Sequence, residues 1–363
     1  MNSIKAAYLI EQCWHRIPGG TAVAAVNLAE EMCRLEGIDL VGIAANHKKN
    51  PKKPIPESMK IVNSKFPRQV LYEMWNKFNI PKAENLAKSV DLVHASGGAV
   101  PPTDLPLVAT IHDLSWREQN DWFPSRGKRF AETWLNKARK AERIICPSKT
   151  TFNDLVKAGF DEQRIRVVPL GVKTRNVNKE QVEGLLEANS ISTPFVLWVG
   201  TIEPRKNLPT LIQAMKQIPE IPLVLVGPTG WESNLQSAIA PIGDRVKIIG
   251  EVDEITKHTW YKAASVFCFP SLMEGFGLPV AEAMSHGTPV VTSSTTATSE
   301  VAEEAALLID PKSPDAIAES IKEILDKPEL ADELSKKGLE RTKKMTWKDS
   351  ALATADIYRE VVN

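Results

Sequence analysis

Cysteine is scarce in this chain. There are four among 363 residues, Cys13, Cys33, Cys146 and Cys268, widely scattered and with no C-x-x-C pair. That spacing encodes neither a zinc ribbon nor a disulfide framework, and isolated reduced thiols are the expectation. Long apolar runs are missing too. No stretch approaches the roughly 18–20 apolar residues of a membrane span. The leading MNSIKAAYLIEQCW has too short an apolar core for a signal peptide, so a cytoplasmic protein is expected. Neither sign of charge is in excess: 45 Lys and Arg equal 45 Asp and Glu, which removes any whole-chain argument for a nucleic-acid partner. The chain has no Asp-x-Asp, no evident repeat and no low-complexity segment. Its histidines show no metal-ligand spacing, so no metal site is expected.

What the chain does have is an alternation of short apolar runs with helical patterns. Residues 6–10, 40–44, 92–95, 107–111, 144–147 and 166–168 read as strands, with helices at 23–35 and 128–141 among them. After residue 171 the pattern restarts, with strands at 195–199, 223–226, 246–249, 266–269, 289–292 and 306–309. Strands spaced by helical stretches imply parallel sheets of Rossmann type. Two such sets in 363 residues imply two domains facing across a cleft. A final segment, 346–363, carries Trp347 and Tyr358 on a helical pattern. In open α/β sheets ligands gather beyond the carboxyl ends of the strands, and the motifs below fall at such ends.

Residues 270–291, PSLMEGFGLPVAEAMSHGTPVV, hold two glutamates, Glu274 and Glu282, joined by a Gly-Phe-Gly-Leu-Pro turn. Pro279 suits the first turn of a helix and Gly287 its end. Glu274 then lies in a loop after a strand, and Glu282 projects from one turn into the helix. The N–H groups of Phe276, Gly277 and Leu278 sit at that helix's N-terminus, a natural anion site, and Gly275 and Gly277 permit close backbone approach. Two plainer readings compete. Gly275-x-Gly277-x-x-Val280 imitates a dinucleotide fingerprint, but it lies late in the chain and lacks the third glycine. A capped surface helix with Glu282 merely solvated also fits.

A second loop, Gly200-Thr201-Ile202-Glu203-Pro204-Arg205-Lys206-Asn207, follows the strand at 195–199. Two adjacent cations there suit a diphosphate: Arg grips it bidentately and Lys acts as a point charge. They oppose the macrodipole of the helix they precede, and such local conflicts mark functional positions. In the first half, Gly19 and Gly20 stand between the first strand and the first helix, either as a ligand-approach turn or as a plain connection. His112 follows another strand, as a hydroxyl partner or a structural histidine, and Asp113 is expected to orient the loop or cap the next segment.

The 270–291 segment resembles the donor-site signature of retaining glycosyltransferase family 4, the group 1 glycosyltransferases. Residues 195–215, FVLWVGTIEPRKNLPTLIQAM, resemble the opening strand, loop and helix of that family's donor domain, and 168–172, VPLGV, its interdomain junction. The likeness covers most of the second half and is looser in the first. It implies the GT-B fold: an N-terminal acceptor-binding domain over 1–170, a nucleotide-sugar domain over 171–345, and a C-terminal helix over 346–363 that crosses back to the first domain. It implies retaining hexosyl transfer from a nucleoside diphosphate sugar to an acceptor hydroxyl, with no cofactor, by front-face substitution without a protein nucleophile.

By the same resemblance Glu282 holds the ribose hydroxyls and Glu274 lies beside the transferred sugar. Phe276, Gly277 and Leu278 offer N–H groups to sugar and phosphate, and Gly200 opens the loop that carries Arg205 and Lys206 to the diphosphate. Gly19 and Gly20 lie near the diphosphate and the acceptor, and His112 belongs to the active site; Glu300 supports the site. Many relatives place an arginine where this chain has Thr201, and Arg205 is expected to take its role. The loop resembles those of mannosyl- and rhamnosyl-type polymer transferases, which puts GDP-mannose ahead of a UDP-sugar as donor. A saccharide or lipid-linked acceptor is implied. Trp14, Trp116 and Trp122 lie near these loops, where an aromatic face packs against a sugar or lipid-linked acceptor or, more frequently, into the core. Lys48, Lys49, Lys52 and Lys53 form an exposed loop, solvated or touching anionic lipid at the inner face of a membrane. A GT-B sugar-nucleotide epimerase and a non-catalytic nucleotide-sugar binder are the alternatives.

Overall fold

Four-residue runs such as Val196–Val199 (VLWV) and Val266–Phe269 (VFCF) are buried at every position. Continuous apolarity of this kind is what a parallel strand covered on both faces requires. The structure, a computed structural model, describes residues 3–117, 122–123, 125–231 and 234–362. It divides the chain into two units, residues 1–171 with 347–363, and 172–346.

The first unit is built on a seven-stranded sheet in the spatial order Lys60–Asn63, Ile38–Ala44, Ile4–Leu9, Leu92–Ala95, Leu107–Thr110, Arg143–Cys146, Ile165–Val167. Neighbouring strands run parallel, with Ala6 registered against both Leu40 and Leu92. One core layer contains Leu71, Trp75, Trp134, Leu135 and Leu155, and the other contains Tyr8, Ala25, Met32, Ala351, Ala355 and Tyr358. The C-terminal helix Trp347–Val362 therefore completes the second layer. Polar bonds fix it there: His94 Nδ1 and the Tyr358 hydroxyl lie 2.7 Å apart, His94 Nε2 and Thr110 Oγ1 2.7 Å apart, and Glu360 accepts from Arg143 and Arg166.

The second unit carries a six-stranded parallel sheet in the order Val246–Gly250, Leu223–Val226, Val196–Val199, Val266–Phe269, Val290–Ser293, Leu307–Ile309. In both sheets the direction of winding reverses beside the first strand of the unit. The reversal lies between Ile4–Leu9 and Leu92–Ala95 in one and between Val196–Val199 and Val266–Phe269 in the other. Such a switch point splays the two following loops apart and leaves a crevice. In the second unit those two loops are 200–207 and 270–277, the pair singled out above.

The strands lie where the apolar runs place them, within two residues at each end. One strand is not anticipated. Lys60–Asn63 is an edge strand with no fully buried residue, too short and too polar to register as a pattern. The helix expected at 23–35 runs over Gly19–Met32, because its first turn is Gly-Gly-Thr-Ala and carries no apolar period. The helix expected at 128–141 runs over Ser125–Ala138. No disulfide joins any of the four cysteines, and Cys13, Cys146 and Cys268 are buried.

His94 is completely buried. Burial, reinforced by the nearby His112, pushes its pKa down to about 3, and burial brings His15 and His286 to about 4. An unfolded histidine titrates near pH 6.5, so between the two values the unfolded chain binds more protons. Stability is therefore complete above about pH 6.5 and declines as pH falls, by about 1.4 kcal/mol per pH unit for each such group. His94→Gln should lower stability at neutral pH and flatten this decline. Denaturation curves between pH 7 and 4 that run parallel for both proteins would assign the decline to other groups.

Candidate active site

At the end of Val196–Val199, Gly200 donates its N–H to the Val226 carbonyl at 2.9 Å. A Cβ on Gly227 (φ 134°) would lie 2.0 Å from the Gly200 carbonyl oxygen. The two loops thus run backbone against backbone, and Ile202 continues the contact by donating to the Pro228 carbonyl at 3.1 Å. Gly200 spends its N–H inside the sheet and sets the path of the loop. The chain then makes a short 3-10 turn over Pro204–Lys206 and enters the helix Leu208–Met215 through Asn207, which is left-handed (φ 59°). The Asn207 amide donates to the Pro270 carbonyl at 3.0 Å and to the Pro311 carbonyl at 2.6 Å. Leu272 donates its N–H to the Arg205 carbonyl at 2.8 Å. These bonds bind the two switch-point loops to each other.

Their side chains form a buried ionic cluster. Lys206 Nζ lies 2.5 Å from Glu274 Oε1 and 4.8 Å from the centre of the Phe269 ring. Arg205 Nη1 lies 3.1 Å from the same Oε1 and donates to the Met273 carbonyl at 3.0 Å, while its Nε stands 2.6 Å from Glu203 Oε1. Glu203, Lys206 and Glu274 are each under a tenth exposed. Burial drives the Lys206 pKa down, and Arg205 beside it adds to the effect. Burial also pushes the Glu274 carboxyl up, but Arg205 and Lys206 together outweigh this and hold it below its usual range. Glu274 is thus an ionised carboxylate with one oxygen held by two cations. That suits a fixed hydrogen-bond acceptor better than an attacking nucleophile.

Glu282 is held in a separate cluster. Its helix, Leu278–Ser285, is entered through Gly277 (φ 102°), where a Cβ would lie 2.6 Å from Thr298 Cγ2, so both the backbone and the space require glycine. Pro279 stands in the first turn. Lys257 donates to Glu282 Oε1 at 2.9 Å and the Tyr261 hydroxyl to Oε2 at 3.0 Å; Lys257 also reaches Glu254 Oε2 at 3.2 Å. Burial opposes the Lys257 charge, yet Glu282 and Glu254 raise its pKa overall. Next to them His258 Nδ1 and His286 Nε2 are 2.7 Å apart, both with pKa lowered chiefly by burial. Lys257 and Tyr261 are absent from the sequence reading. Their only local signal is a Lys-x-x-x-Tyr spacing, one turn apart on a helix capped by Asp253.

In the first unit, Gly19 (φ 61°) opens the helix that contains Gly20. His112 Nε2 lies 3.3 Å from the Ser96 carbonyl, and burial lowers its pKa. The neutral ring donates through Nε2, which leaves Nδ1 an acceptor. Gly97 (φ 138°) follows the strand Leu92–Ala95, and a Cβ there would come within 3.4 Å of the His112 ring. Gly97 and Gly98 are further residues at this switch point that the sequence reading passes over, although a Gly-Gly pair after a strand was available as a signal. Asp113 accepts from the Ser115 N–H at 3.0 Å and its hydroxyl at 2.6 Å, capping the turn Ser115–Arg117. Trp116 belongs to the core: it packs on Trp134, and its Nε1 donates to Glu132 at 2.8 Å. Trp14 stacks on His47 and donates to the Lys49 carbonyl at 2.9 Å. The Glu300 carbonyl accepts from Arg341 at 3.0 Å. Among the described residues no group of three or more His, Cys, Asp or Glu side chains is arranged to hold a metal ion.

A family model described as "Glycosyl transferases group 1" matches residues 187–341, and one described as "Glycosyltransferase Family 4" matches residues 18–176. O-antigen chain mannosyltransferase B of Escherichia coli is 30% identical over 265 residues, which cover 69% of this chain and 70% of that protein. Among solved structures, sucrose-phosphate synthase from Thermosynechococcus elongatus matches with a TM-score of 0.78 at 23% identity, over 98% of both chains. Anabaena HepE in complex with UDP and glucose matches with a TM-score of 0.78 at 18% identity, over 98% of this chain and all of that one. At these identities the structural matches establish a shared fold.

Removing one member of a buried ion pair leaves an uncompensated charge. Glu274→Gln should therefore destabilise the protein by about 3–5 kcal/mol, and adding Lys206→Met should restore part of the loss. Urea denaturation measures both; a loss below about 1 kcal/mol for the single variant would mean that the cluster is solvated.

Proposed function

The chain belongs to the group 1 glycosyltransferases, family 4, with the GT-B fold, and on that premise we propose that it moves a mannosyl group, with retention, from GDP-mannose to a hydroxyl of a saccharide or lipid-linked acceptor. Relatives include mannosyltransferases named for the O-antigen chain and for serotype, and nothing in the fold or the relatives favours an epimerase or a non-catalytic binder. The observation that carries the reading is the Arg205–Lys206–Glu274 cluster at the switch point of the second unit. Mannose is chosen because O-antigen chain mannosyltransferase B is a relative at 30% identity over 70% of its length. The UDP and glucose named for HepE make a UDP-sugar the second choice of donor.

In this reading Arg205 and Lys206 meet the diphosphate. As the bond from the sugar C1 to the phosphate oxygen breaks, negative charge grows on the leaving group. Fixed cations aimed at it favour that state over the bound substrate. The Phe276–Leu278 backbone at the helix N-terminus adds positive potential there. Glu274, already anchored by both cations, accepts a hydrogen bond from a sugar hydroxyl, and Glu282 accepts from the ribose. His112, neutral with an acceptor Nδ1, takes another sugar hydroxyl. Gly19 and Gly20 bring backbone close to the phosphates. The acceptor oxygen forms its bond to C1 on the face the phosphate leaves, and its proton passes to the departing phosphate oxygen.

Side-chain cations do here the work that a divalent ion does elsewhere, so the reaction needs no metal. Among the described residues no helix is long and apolar enough to cross a membrane. Contact of the Lys48, Lys49, Lys52 and Lys53 loop with an anionic membrane surface is the alternative to plain solvation of that loop. Within the chain, Lys52 donates to the Arg16 carbonyl at 2.5 Å.

Thermal melts with GDP-, UDP-, dTDP- and ADP-sugars in chelator test the donor. A ligand at a hundred times its dissociation constant adds about 2.7 kcal/mol of stability. One nucleotide class should stabilise the native protein and fail with Glu282→Ala; stabilisation by none would remove the donor reading. Arg205→Ala should cut kcat by about 100- to 1000-fold, as loss of a charge-stabilising donor does. Near-normal turnover would reassign it. Activity should persist in EDTA, and loss restored by magnesium or manganese would contradict the metal-free mechanism.

A further inference from the structure

The helix Glu254–Ala263 presents Glu254, Lys257 and Tyr261 along one face, at spacings of three and four residues. Exposure falls along this stripe: the Glu254 side chain is 44% exposed, that of Lys257 16%, and Tyr261 is fully buried. The stripe ends on the Glu282 carboxylate, on a different helix, and the two donors divide its oxygens. Lys257 takes Oε1 at 2.9 Å and Tyr261 takes Oε2 at 3.0 Å. We propose that Lys257 and Tyr261 are positioning residues for nucleotide recognition, which fix the plane of the Glu282 carboxylate so that it meets the cis-diol of a ribose without reorganising. The inference rests on the assignment of Glu282 to the ribose and names the side chains that make that site work.

Three features support it. A carboxylate offers about four acceptor positions. With a single donor on each oxygen among the described residues, one position per oxygen is left, the number that two vicinal hydroxyls need. Both donors are also constant in their protonation. The Tyr261 hydroxyl is driven well above its ordinary pKa by burial and by Glu282, and Lys257 is raised by its two carboxylates, so each donates throughout the neutral range. Finally, Tyr261 is itself clamped. Its ring is nearly parallel to that of His286, at 13° and 6.3 Å, its edge meets His258 at 6.2 Å, and its carbonyl accepts from Thr288 Oγ1 at 2.6 Å. A phenol so restrained holds its hydroxyl at one point, and a carboxylate bonded to it and to Lys257 cannot rotate without breaking a buried bond. Rigid support of this kind raises affinity by reducing the ordering that binding would otherwise require.

The test is a cycle between protein and ligand. GDP, UDP and their 2′-deoxy analogues are titrated against the native protein, Tyr261→Phe, Lys257→Met, Lys257→Arg and Glu282→Gln by calorimetry, using whichever base binds the native chain. The native protein should prefer the ribonucleotide by about tenfold or more, as expected for a hydrogen bond to a charged acceptor. Tyr261→Phe and Lys257→Met should bring that preference close to one while the deoxy analogue binds within twofold of native, and Lys257→Arg should retain most of it. If both variants weaken ribo- and deoxyribonucleotide equally, the two residues are merely structural and the inference falls. If Glu282→Gln keeps the native preference, or the native protein has none, the ribose assignment itself fails, and the two failures are told apart. A circular dichroism melt of each variant separates loss of binding from loss of fold.

Discussion

One oxygen of one carboxylate, Oε1 of Glu274, joins the two loops that make the candidate donor site. It lies 2.5 Å from Lys206 and 3.1 Å from Arg205. These cations sit on the loop after one strand and Glu274 on the loop after its neighbour, at the point where the sheet reverses its winding. A switch point opens a crevice because the following loops leave in opposite directions. Something must then hold the crevice walls in register, and here buried opposite charges do it, backed by Asn207 and by the Leu272–Arg205 backbone bond. An ionised group under a tenth exposed is costly unless paired. The site therefore needs all three side chains together, and its charges are set before any ligand arrives.

The second carboxylate shows how the same residue type is given another role by its neighbours. Glu282 is met by one cation and one phenol, and the base of its cluster is a pair of histidines kept neutral chiefly by burial. Glu274 faces two cations and carries part of a charge-balanced cluster. In the proposed reaction the first arrangement presents open lone pairs to hydroxyls, and the second tethers cations that a leaving diphosphate can share. A preorganised charge is worth most where water is excluded, which is why both groups are buried although neither belongs to the apolar core.

Much of this was legible in the residues themselves. The alternation of apolar runs marked nearly all the strands, because a parallel strand buried on both faces has no choice but to be continuously apolar. Lys60–Asn63 escaped, since an edge strand is freed from that demand. The helix over Gly19–Met32 began earlier than its apolar period, because small residues carry no period. Trp116 shows the converse limit. Its position beside a loop fitted a ligand platform or the core alike, and its packing on Trp134 and its bond to Glu132 place it in the core.

The sequence by itself determined the two sheets, the start and stop of the helix that carries Glu282, and the presence of two cations and two glutamates after two of the strands. These follow from local rules: burial on both faces, and helix starts and stops. Which charge faces which was decided by tertiary structure alone. Lys206 and Glu274 are 68 residues apart in the chain, and Lys257 and Glu282 are 25 apart. No periodicity reaches across such a distance. The pairings exist because the order of strands in the sheet brings those loops and helices together, and the cost of burying a charge alone then leaves each group a single kind of partner.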